Sequence, residues 1–575
     1  MMPTAKKRDV QVISDITDIV SDYSPFDSTR KSDELLSFTS GLSDRTGLTN
    51  TEQALEFGES FLTEMDDLPY TTTIKRSKRV NNLASLKPSV KVGCLNFGQE
   101  DINPLHLFTR LSLIGSRVIT IEQCLEHELS PYPLSLFDEN GLMRPRNKSQ
   151  FGTILKSLLD SNTASEPPQP GLGSIVIDGG CLLWQVEWRV GATFGEFAQN
   201  VAKRVRSLSG LRSTLVFDGY LPSAKDLEHV ARMKFWCAEQ AVDEDKKILV
   251  TKNKFFSSSG NKENLVKFLT SWLPTCDTLA DLKDFMIEKG DRDADTLVVK
   301  KAREQCENSD DPVLVHGTDT DLLILLLHHC HTYQNLWFGT INIKELWDKI
   351  SADERSVLLV AYCFSGVDTV SSFFGKGPAS ILKLFSTNRE IRDIIAPSFL
   401  DPSASGPSLE MIDMMGIRLV RLIYGKSADM SLSKLRFDSY NKQCLAGKVA
   451  PERLAPTKGA AIQHCRRAYQ QCREWVMLDT DIGCSLLGWR WDSIRALYLP
   501  IYSELPAAPA ELDNFVSCKC KSIRDGGCCS SGNCSCVKNG VRCIPSICAT
   551  CIPGGSCQNL NLIEVEEEED ENGEI

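Results

Sequence analysis

Five short segments of the chain carry seven aspartates: Asp178, Asp218, Asp293 with Asp295, Asp319 with Asp321, and Asp368. Each stands at the end of an apolar run or at the start of a helical stretch. Converging carboxylates repel one another and cannot all stay ionised without cations. Hard oxygen ligands around an open cleft suit Mg²⁺ or Mn²⁺. Two such ions can activate water and stabilise the leaving oxygen in phosphodiester cleavage. The plainer reading of any one of these residues is a helix N-cap or a turn. A second set has softer chemistry. Ten of the 22 cysteines lie between Cys518 and Cys557, and the other twelve are scattered. A disulfide scaffold would not concentrate them this way. The first 25 residues hold no apolar signal segment, so a metal-bound cluster in a reducing compartment is expected rather than a secreted, cross-linked chain.

The acids need elements to hold them. SIVIDGG (174–180), STLVFDG (213–219) and PVLVHG (312–317) read as short buried strands, with helical stretches such as FGEFAQNVAKRVRSL between them. Strands alternating with helices imply a parallel sheet. Function in such sheets collects at the carboxyl ends of the strands, where Asp178, Asp218 and Asp319 fall. Upstream, LHLFTRLSLI and FGTILKSLLD have helical spacing around a Pro-rich PYPLSLF, and TASEPPQPGLG (163–173) reads as a linker. Residues 391–510 read as mostly helical, with LAPTKGAAIQHCRRAYQQCREW the clearest helix. Residues 1–90 are rich in Ser, Thr and Asp without periodicity and are expected to be disordered. Lys75-Arg76-Ser77-Lys78-Arg79 reads either as a nuclear import signal or as a solvated linker.

Charge and hydropathy narrow the function classes. The last twelve residues, EVEEEEDENGEI, hold eight acids and no base, and without them the formal charge of −12 becomes −4. A near-neutral body can carry basic patches that bind nucleic acid. The longest aliphatic run, Leu322 to Leu327, is six residues, far short of a membrane span. His328, His329, Cys330 and His331 follow that run. Consecutive side chains point in different directions, so an ordinary segment is expected there rather than a metal site.

Residues 174–385 resemble the flap endonuclease/XPG family of structure-specific nucleases, which have a PIN-like core. IVIDGGCLLW looks like that family's first metal-binding strand, and Trp184 matches its base-stacking aromatic. LVFDGYLPSAKDLEHVAR looks like the VFDG-x-x-P segment, with Lys225 and Arg232 matching two catalytic bases. They lie seven apart, two helical turns, and so share one face. DADTLVV resembles the family's acidic pair, GTDTDLLIL its D-x-D pair, and FSGVDTVSSFFGKGP the segment that opens a DNA-gripping hairpin. There Gly375, Lys376 and Gly377 would let backbone amides approach a phosphate. The resemblance implies that the seven aspartates hold two Mg²⁺ or Mn²⁺ ions. It also implies that Lys225 and Arg232 polarise the scissile phosphate and that Trp184 stacks on an unpaired base. Lysines and aromatics between 232 and 268, among them Lys252, Phe255 and Phe256, fall where the family places a gateway over single-stranded DNA. An amphipathic helical pair with a solvated lysine face fits them equally. The sequence departs from the family in having Asp293 and Asp295 in place of glutamates, Thr369 in place of a tyrosine, and roughly 170 preceding residues.

The cysteine spacing is Cys518-x-Cys520, Cys528-Cys529, Cys534-x-Cys536-x6-Cys543, then Cys548-x2-Cys551-x5-Cys557. It resembles the tesmin/TSO1-type CXC domain, which binds zinc and DNA. In that family nine cysteines hold three zincs, three thiolates bridging to complete four bonds per tetrahedral metal. About three Zn²⁺ are thus expected, with one of Cys528 and Cys529 spare. Lys538 and Arg542 would face DNA phosphates; a zinc-stabilised knuckle that binds protein is the alternative. The arrangement of the whole chain is similar to animal proteins that look derived from mobile elements.

The expected architecture is α/β. Residues 1–95 form a disordered tail, 96–170 a helical segment, and 171–390 a PIN-like three-layer domain on a mainly parallel sheet. A helical region (391–515), a CXC zinc module (516–560) and an acidic tail (561–575) follow. The expected activity is metal-dependent, structure-specific cleavage of DNA by a nuclear protein, tethered to DNA by its zinc module. One competing reading is an inactive PIN-like scaffold in a DNA-binding regulator. Another is an interaction protein recruiting partners through the N-terminal segment and acidic tail.

Overall fold

The computed structural model describes most residues from 104 to 509, apart chiefly from 116–118, 160–165, 226–239, 426–429, 479–486 and 493–496. It also describes eight of the ten clustered cysteines and a few isolated residues elsewhere. Both terminal segments, including the basic run 75–79 and the acidic tail, lie outside the described residues.

The centre is a six-stranded sheet built from β1 (Ser174–Asp178), β2 (Ser213–Phe217), β3 (Phe285–Lys289), β4 (Val313–His316), β5 (Leu336–Phe338) and β6 (Ile341–Asn342). The order is β3-β2-β1-β4-β5-β6, and every pair is parallel except β5 with β6. The chain moves outward from β1 to β3, then crosses to β4 on the other side of β1. Such a reversal leaves a crevice at the carboxyl ends of β1 and β4.

Alternation along the strands divides their side chains between two cores. Val176, Val216, Val313 and Val315 face one, and Ile175, Ile177, Leu215 and Phe217 face the other. The second face is covered by α4 (Gly179–Gln185), α5 (Phe194–Leu208), α6 (Lys252–Phe255) and α7 (Ser259–Trp272). Helix α5 starts at a capping box in which Thr193 and Glu196 satisfy each other's backbone amides. Its Phe197, Val201 and Val205 form the inward stripe.

The first face is covered by a larger body. It comprises α3 (Lys148–Lys156), α8 (Ala294–Asn308), α9 (Thr320–His329), α10 (Ala352–Phe364), α11 (Pro378–Thr387), α12 (Leu409–Tyr424) and α14 (Lys458–Val476), and one continuous core joins them to the sheet. The described residues of region 391–510 are largely helical and end in an antiparallel hairpin, β7 (Trp489–Asp492) on β8 (Leu497–Pro500). Gly416 lets α12 lie directly on α14, since a Cβ there would sit 2.1 Å from that of Cys465.

A third core joins distant parts of the sequence. Leu107, Phe108 and Leu111 of α1 (Pro104–Gly115), with Leu125 just after α2 (Ile121–Cys124), pack with Leu454 and with the cysteines near the C-terminus. Arg436 of α13 (Leu432–Leu445) locks this corner. It is 2% exposed and donates to the carbonyls of Leu125 (2.8 Å), His127 (3.3 Å) and Ala455, and to Glu128 (3.4 Å). Glu128 in turn accepts from the Thr457 amide at 2.8 Å. Truncating one partner of a buried pair leaves the other charge uncompensated. Arg436→Ala is therefore expected to destabilise the fold by about 3–5 kcal/mol, read from the urea midpoint.

Candidate functional site

The β1 strand delivers Asp178 to the crevice, and the next residue must be glycine. A Cβ on Gly179 would meet the Phe217 ring at 2.3 Å and the Val216 carbonyl at 2.7 Å. Gly180 leaves space over the acids: its Cβ would lie 3.2 Å from Asp178 Oδ1 and 3.7 Å from Asp218 Oδ2. Asp178 also caps α4, accepting from the Cys181 amide at 3.2 Å. Asp218, just past β2, accepts from the Ala294 amide at 3.0 Å and so ties β2 to the start of α8. Asp319 caps α9, accepting from the Asp321 amide at 3.1 Å.

These three acids act on one another. Burial, aided by the negative charges of Asp218 and Asp319, pushes the Asp178 carboxyl up to about 7, and the amides of Cys181 and Gly180 offset this only in part. Asp295, in the first turn of α8, has its Oδ2 3.9 Å from Lys225 Nζ. Asp368 is half-buried in a tight turn closed by reciprocal hydrogen bonds between Val367 and Val370 at 2.9 and 3.0 Å. Asp321 points elsewhere. It is 1% exposed and accepts from the Tyr362 hydroxyl inside the core. Asp293 and Arg232 lie outside the described residues. Among the described residues, no three carboxylates bring oxygens within 4.8 Å of one another; only cysteines form such groups.

Trp184 is 54% exposed, on the surface at the end of α4. Its ring leans on Phe256, centroids 5.2 Å apart. Lys252 Nζ lies 5.5 Å from the indole centroid and donates to the Trp184 and Val186 carbonyls at 2.8 and 2.7 Å, fixing the helix end. Phe255 and Phe256 are buried against Trp188. Gly375 has a φ of +68° with open space around it, and Gly377 begins α11 without a side-chain cap. Between them Lys376 Nζ rests 5.0 Å from the Tyr424 ring centroid.

The cysteines form three overlapping groups: Cys518, Cys520, Cys529 and Cys534; Cys518, Cys534, Cys536 and Cys543; and Cys529, Cys543 and Cys557. Cys518, Cys529, Cys534 and Cys543 each belong to two groups, so neighbouring metal positions would share thiolates. Cys548 lies 3.6 Å from Cys536, sulfur to sulfur. Cys528, Cys551 and Arg542 lie outside the described residues, and Lys538 ends α15 (Ser535–Lys538). Burial pushes the Cys543 thiol up to about 12. At Cys534 burial acts the same way, but the amides of Val537 and Cys536 and the neighbouring thiols outweigh it and bring the group down to about 7. Sulfur donors packed this closely could hold a soft divalent metal.

Acid sensitivity follows from two other buried groups. His464 of α14 lies between Phe364 and Phe373, and burial lowers it to about 3. Burial likewise lowers His328 to about 3, so it stays a neutral side chain at the end of α9. Between pH 4 and 6.5 the unfolded chain protonates both imidazoles and the folded chain neither, whereas folded Asp178 keeps a proton that the unfolded chain has lost. His316, whose imidazole burial also lowers, acts in the same direction as these two, and Asp178 opposes them. Stability is therefore expected to fall on acidification below about pH 6.5, by about 1.4 kcal/mol per pH unit for each net proton taken up on unfolding. Urea midpoints at several pH values check this, and His464→Gln should lower the slope by about 1.4 kcal/mol per pH unit.

Residues 1–128 match the family described as Domain of unknown function (DUF8702). No curated protein matches the sequence. Two similar solved structures are the bacteriophage T5 D15 protein co-crystallised with metal ions, and a variant of that flap endonuclease in a pseudo-enzyme–product complex with DNA and metal ions. Both are 12% identical over 53% of this chain and 99% of theirs, with TM-scores of 0.27 and 0.26. Similarity at that level decides neither fold nor activity. No described helix is long and apolar enough to cross a membrane.

Proposed function

We propose that the chain is a metal-dependent nuclease with a PIN-like core, acting on DNA and anchored to it by a zinc-bound CXC module. The observation that carries this is Asp178. At the carboxyl end of a parallel strand, its carboxyl is held near pH 7 by burial and by two further aspartates from neighbouring strand ends. Such a site has excess negative charge and only oxygen donors, and this fits Mg²⁺ or Mn²⁺. Asp178, Asp218, Asp295 and Asp319 would hold the ions, with Asp293 and Asp368 as further donors. Bound there, two such ions would supply water activation and charge neutralisation in phosphodiester hydrolysis. Lys225, exchanging Asp295 for the scissile phosphate, would stabilise its developing charge, with Arg232 as its partner. Trp184 would hold an unpaired base by stacking. The overlapping cysteine groups would hold about three Zn²⁺, with Lys538 and Arg542 meeting phosphates.

The test is cleavage of labelled flap, hairpin and single-stranded DNA by the full chain with Mg²⁺, with Mn²⁺ or with neither. The second reading, a DNA-binding scaffold without catalysis, is favoured by one observation: Asp321 is engaged by Tyr362 instead of facing the cleft. DNA binding without metal-dependent cutting would establish it.

A further inference from the structure

Beside the acids, on the flank away from Asp218, lies a polar cluster that the proposed chemistry does not use. Arg204 of α5 donates to Gln185 Oε1 at 3.1 Å, and His316 Nε2, at the end of β4, lies 3.0 Å from the same oxygen. The Gln185 amide nitrogen reaches Cys181 Sγ at 3.2 Å, and Thr318 Oγ1 is 3.6 Å from that sulfur. Cys181 in turn donates its backbone amide to Asp178. One residue thus separates the cluster from the acidic site.

The pairing of Arg204 is unlike that of its neighbours. Arg206 meets Asp281, and Arg212 lies 4.0 Å from Asp284. Arg204 contacts no carboxylate among the described residues; its fork is turned to a neutral amide oxygen that it shares with an imidazole. Two nitrogen donors on one neutral acceptor form an arrangement that an anionic oxygen would occupy more favourably. Arg204 is half-buried and Gln185 and Thr318 are exposed, so the cluster opens to solvent. Gln185 directly follows Trp184, and a strand stacked on that indole would run its backbone over this cluster.

We propose that Arg204, His316 and Gln185 form a phosphate-binding subsite for the strand that enters the acidic crevice past Trp184. The proposal rests on the nuclease reading and names the part of the substrate that this flank holds. The group bound is a phosphate of the strand, either an internal phosphodiester or a terminal monophosphate.

The experiment uses the full chain in an Asp218→Asn background, without added Mg²⁺ or Mn²⁺, and fluorescein-labelled single strands bearing a 5′-phosphate or a 5′-hydroxyl. Anisotropy gives affinity as a function of salt. Adding Arg204→Gln is expected to weaken binding about tenfold and to lower the log–log salt slope by about 0.7, the value of one phosphate contact on a single strand. Arg204→Lys keeps the charge and should keep the slope. Equal losses on both strands identify an internal phosphodiester, and a loss confined to the phosphorylated strand identifies a terminal one. Arg204→Gln binding within twofold of its parent, with unchanged slope, would overturn the subsite while leaving the nuclease reading intact. A parent that binds neither strand would overturn both.

Discussion

Asp218→Asn is expected to cut metal-dependent cleavage at least about a thousandfold, a barrier increase of roughly 4 kcal/mol. Asp218 contributes to the site twice over. It offers an oxygen beside Asp178, and its charge helps keep the Asp178 proton in place up to about pH 7. Asparagine removes one anionic ligand and eases Asp178 towards ionisation. Two readings separate this from a loss of fold. In the unsubstituted chain, the rate should rise with pH through about 7, as Asp178 sheds the proton that competes with a cation. Mn²⁺ should likewise raise the melting temperature more at pH 8 than at pH 6, since binding to the native state stabilises it; Asp218→Asn should flatten that difference. Asp321→Asn is the informative contrast. Its carboxylate is buried and bonded to Tyr362, so its loss should lower the melting temperature while the folded fraction still cuts. Folded Asp321→Asn that is as inactive as Asp218→Asn would instead make Asp321 a ligand.

The second large effect is metal removal from the cysteine module. Structural zinc in finger peptides contributes about 10–16 kcal/mol of apparent binding free energy at pH 7. On the proposed zinc-bound reading, the packing of these cysteines depends on the metal. Stripping the metal with a strong chelator should release about three Zn²⁺ per chain and expose the thiols to reagent. The damage should also travel. Leu107, Phe108, Leu111 and Leu125 share a core with Cys518, Cys529, Cys536 and Cys543. Hydrogen exchange should therefore quicken in residues 104–129 while the sheet stays protected. Cys536→Ser should act in the same direction. Unchanged exchange in 104–129 would mean that the two ends do not stabilise each other.

Much of the sheet is written locally. β1, β2 and β4 are continuous β-branched and aliphatic runs stopped by Gly or Asp, and α5 carries a clean amphipathic stripe between a capping box and a terminal serine. β3 is hard to read from sequence because Phe285–Lys289 lies at the sheet edge, with no residue fully buried and two charges. The acids Asp178, Asp218 and Asp319 were legible because strand ends lead to one edge of a parallel sheet. Asp321 was not. A spacing of two places one residue at the N-cap and the other on the next turn's inner face, and only the packing of Tyr362 decides which way it points. The Arg204 cluster has no motif at all, since it gathers α4, α5 and β4 through side-chain reach. The Arg436–Glu128 lock, 308 positions apart in sequence, could not be seen from spacing.

The single core beneath one face of the sheet bears on how this chain comes to be folded. Val176 and Val315 share it with His464's neighbours Ala460, Ala461 and Cys465 and with Trp475, and Arg436 reaches back 311 positions to Leu125. During synthesis the sheet would be complete long before α14 leaves the ribosome, with its valine face still bare. Contacts this remote make folding slow and leave apolar surface exposed meanwhile. Aggregation should therefore be decided by chain release rather than by final stability. A chain stopped before residue 458 should collect as insoluble protein even though all seven of the clustered aspartates are present.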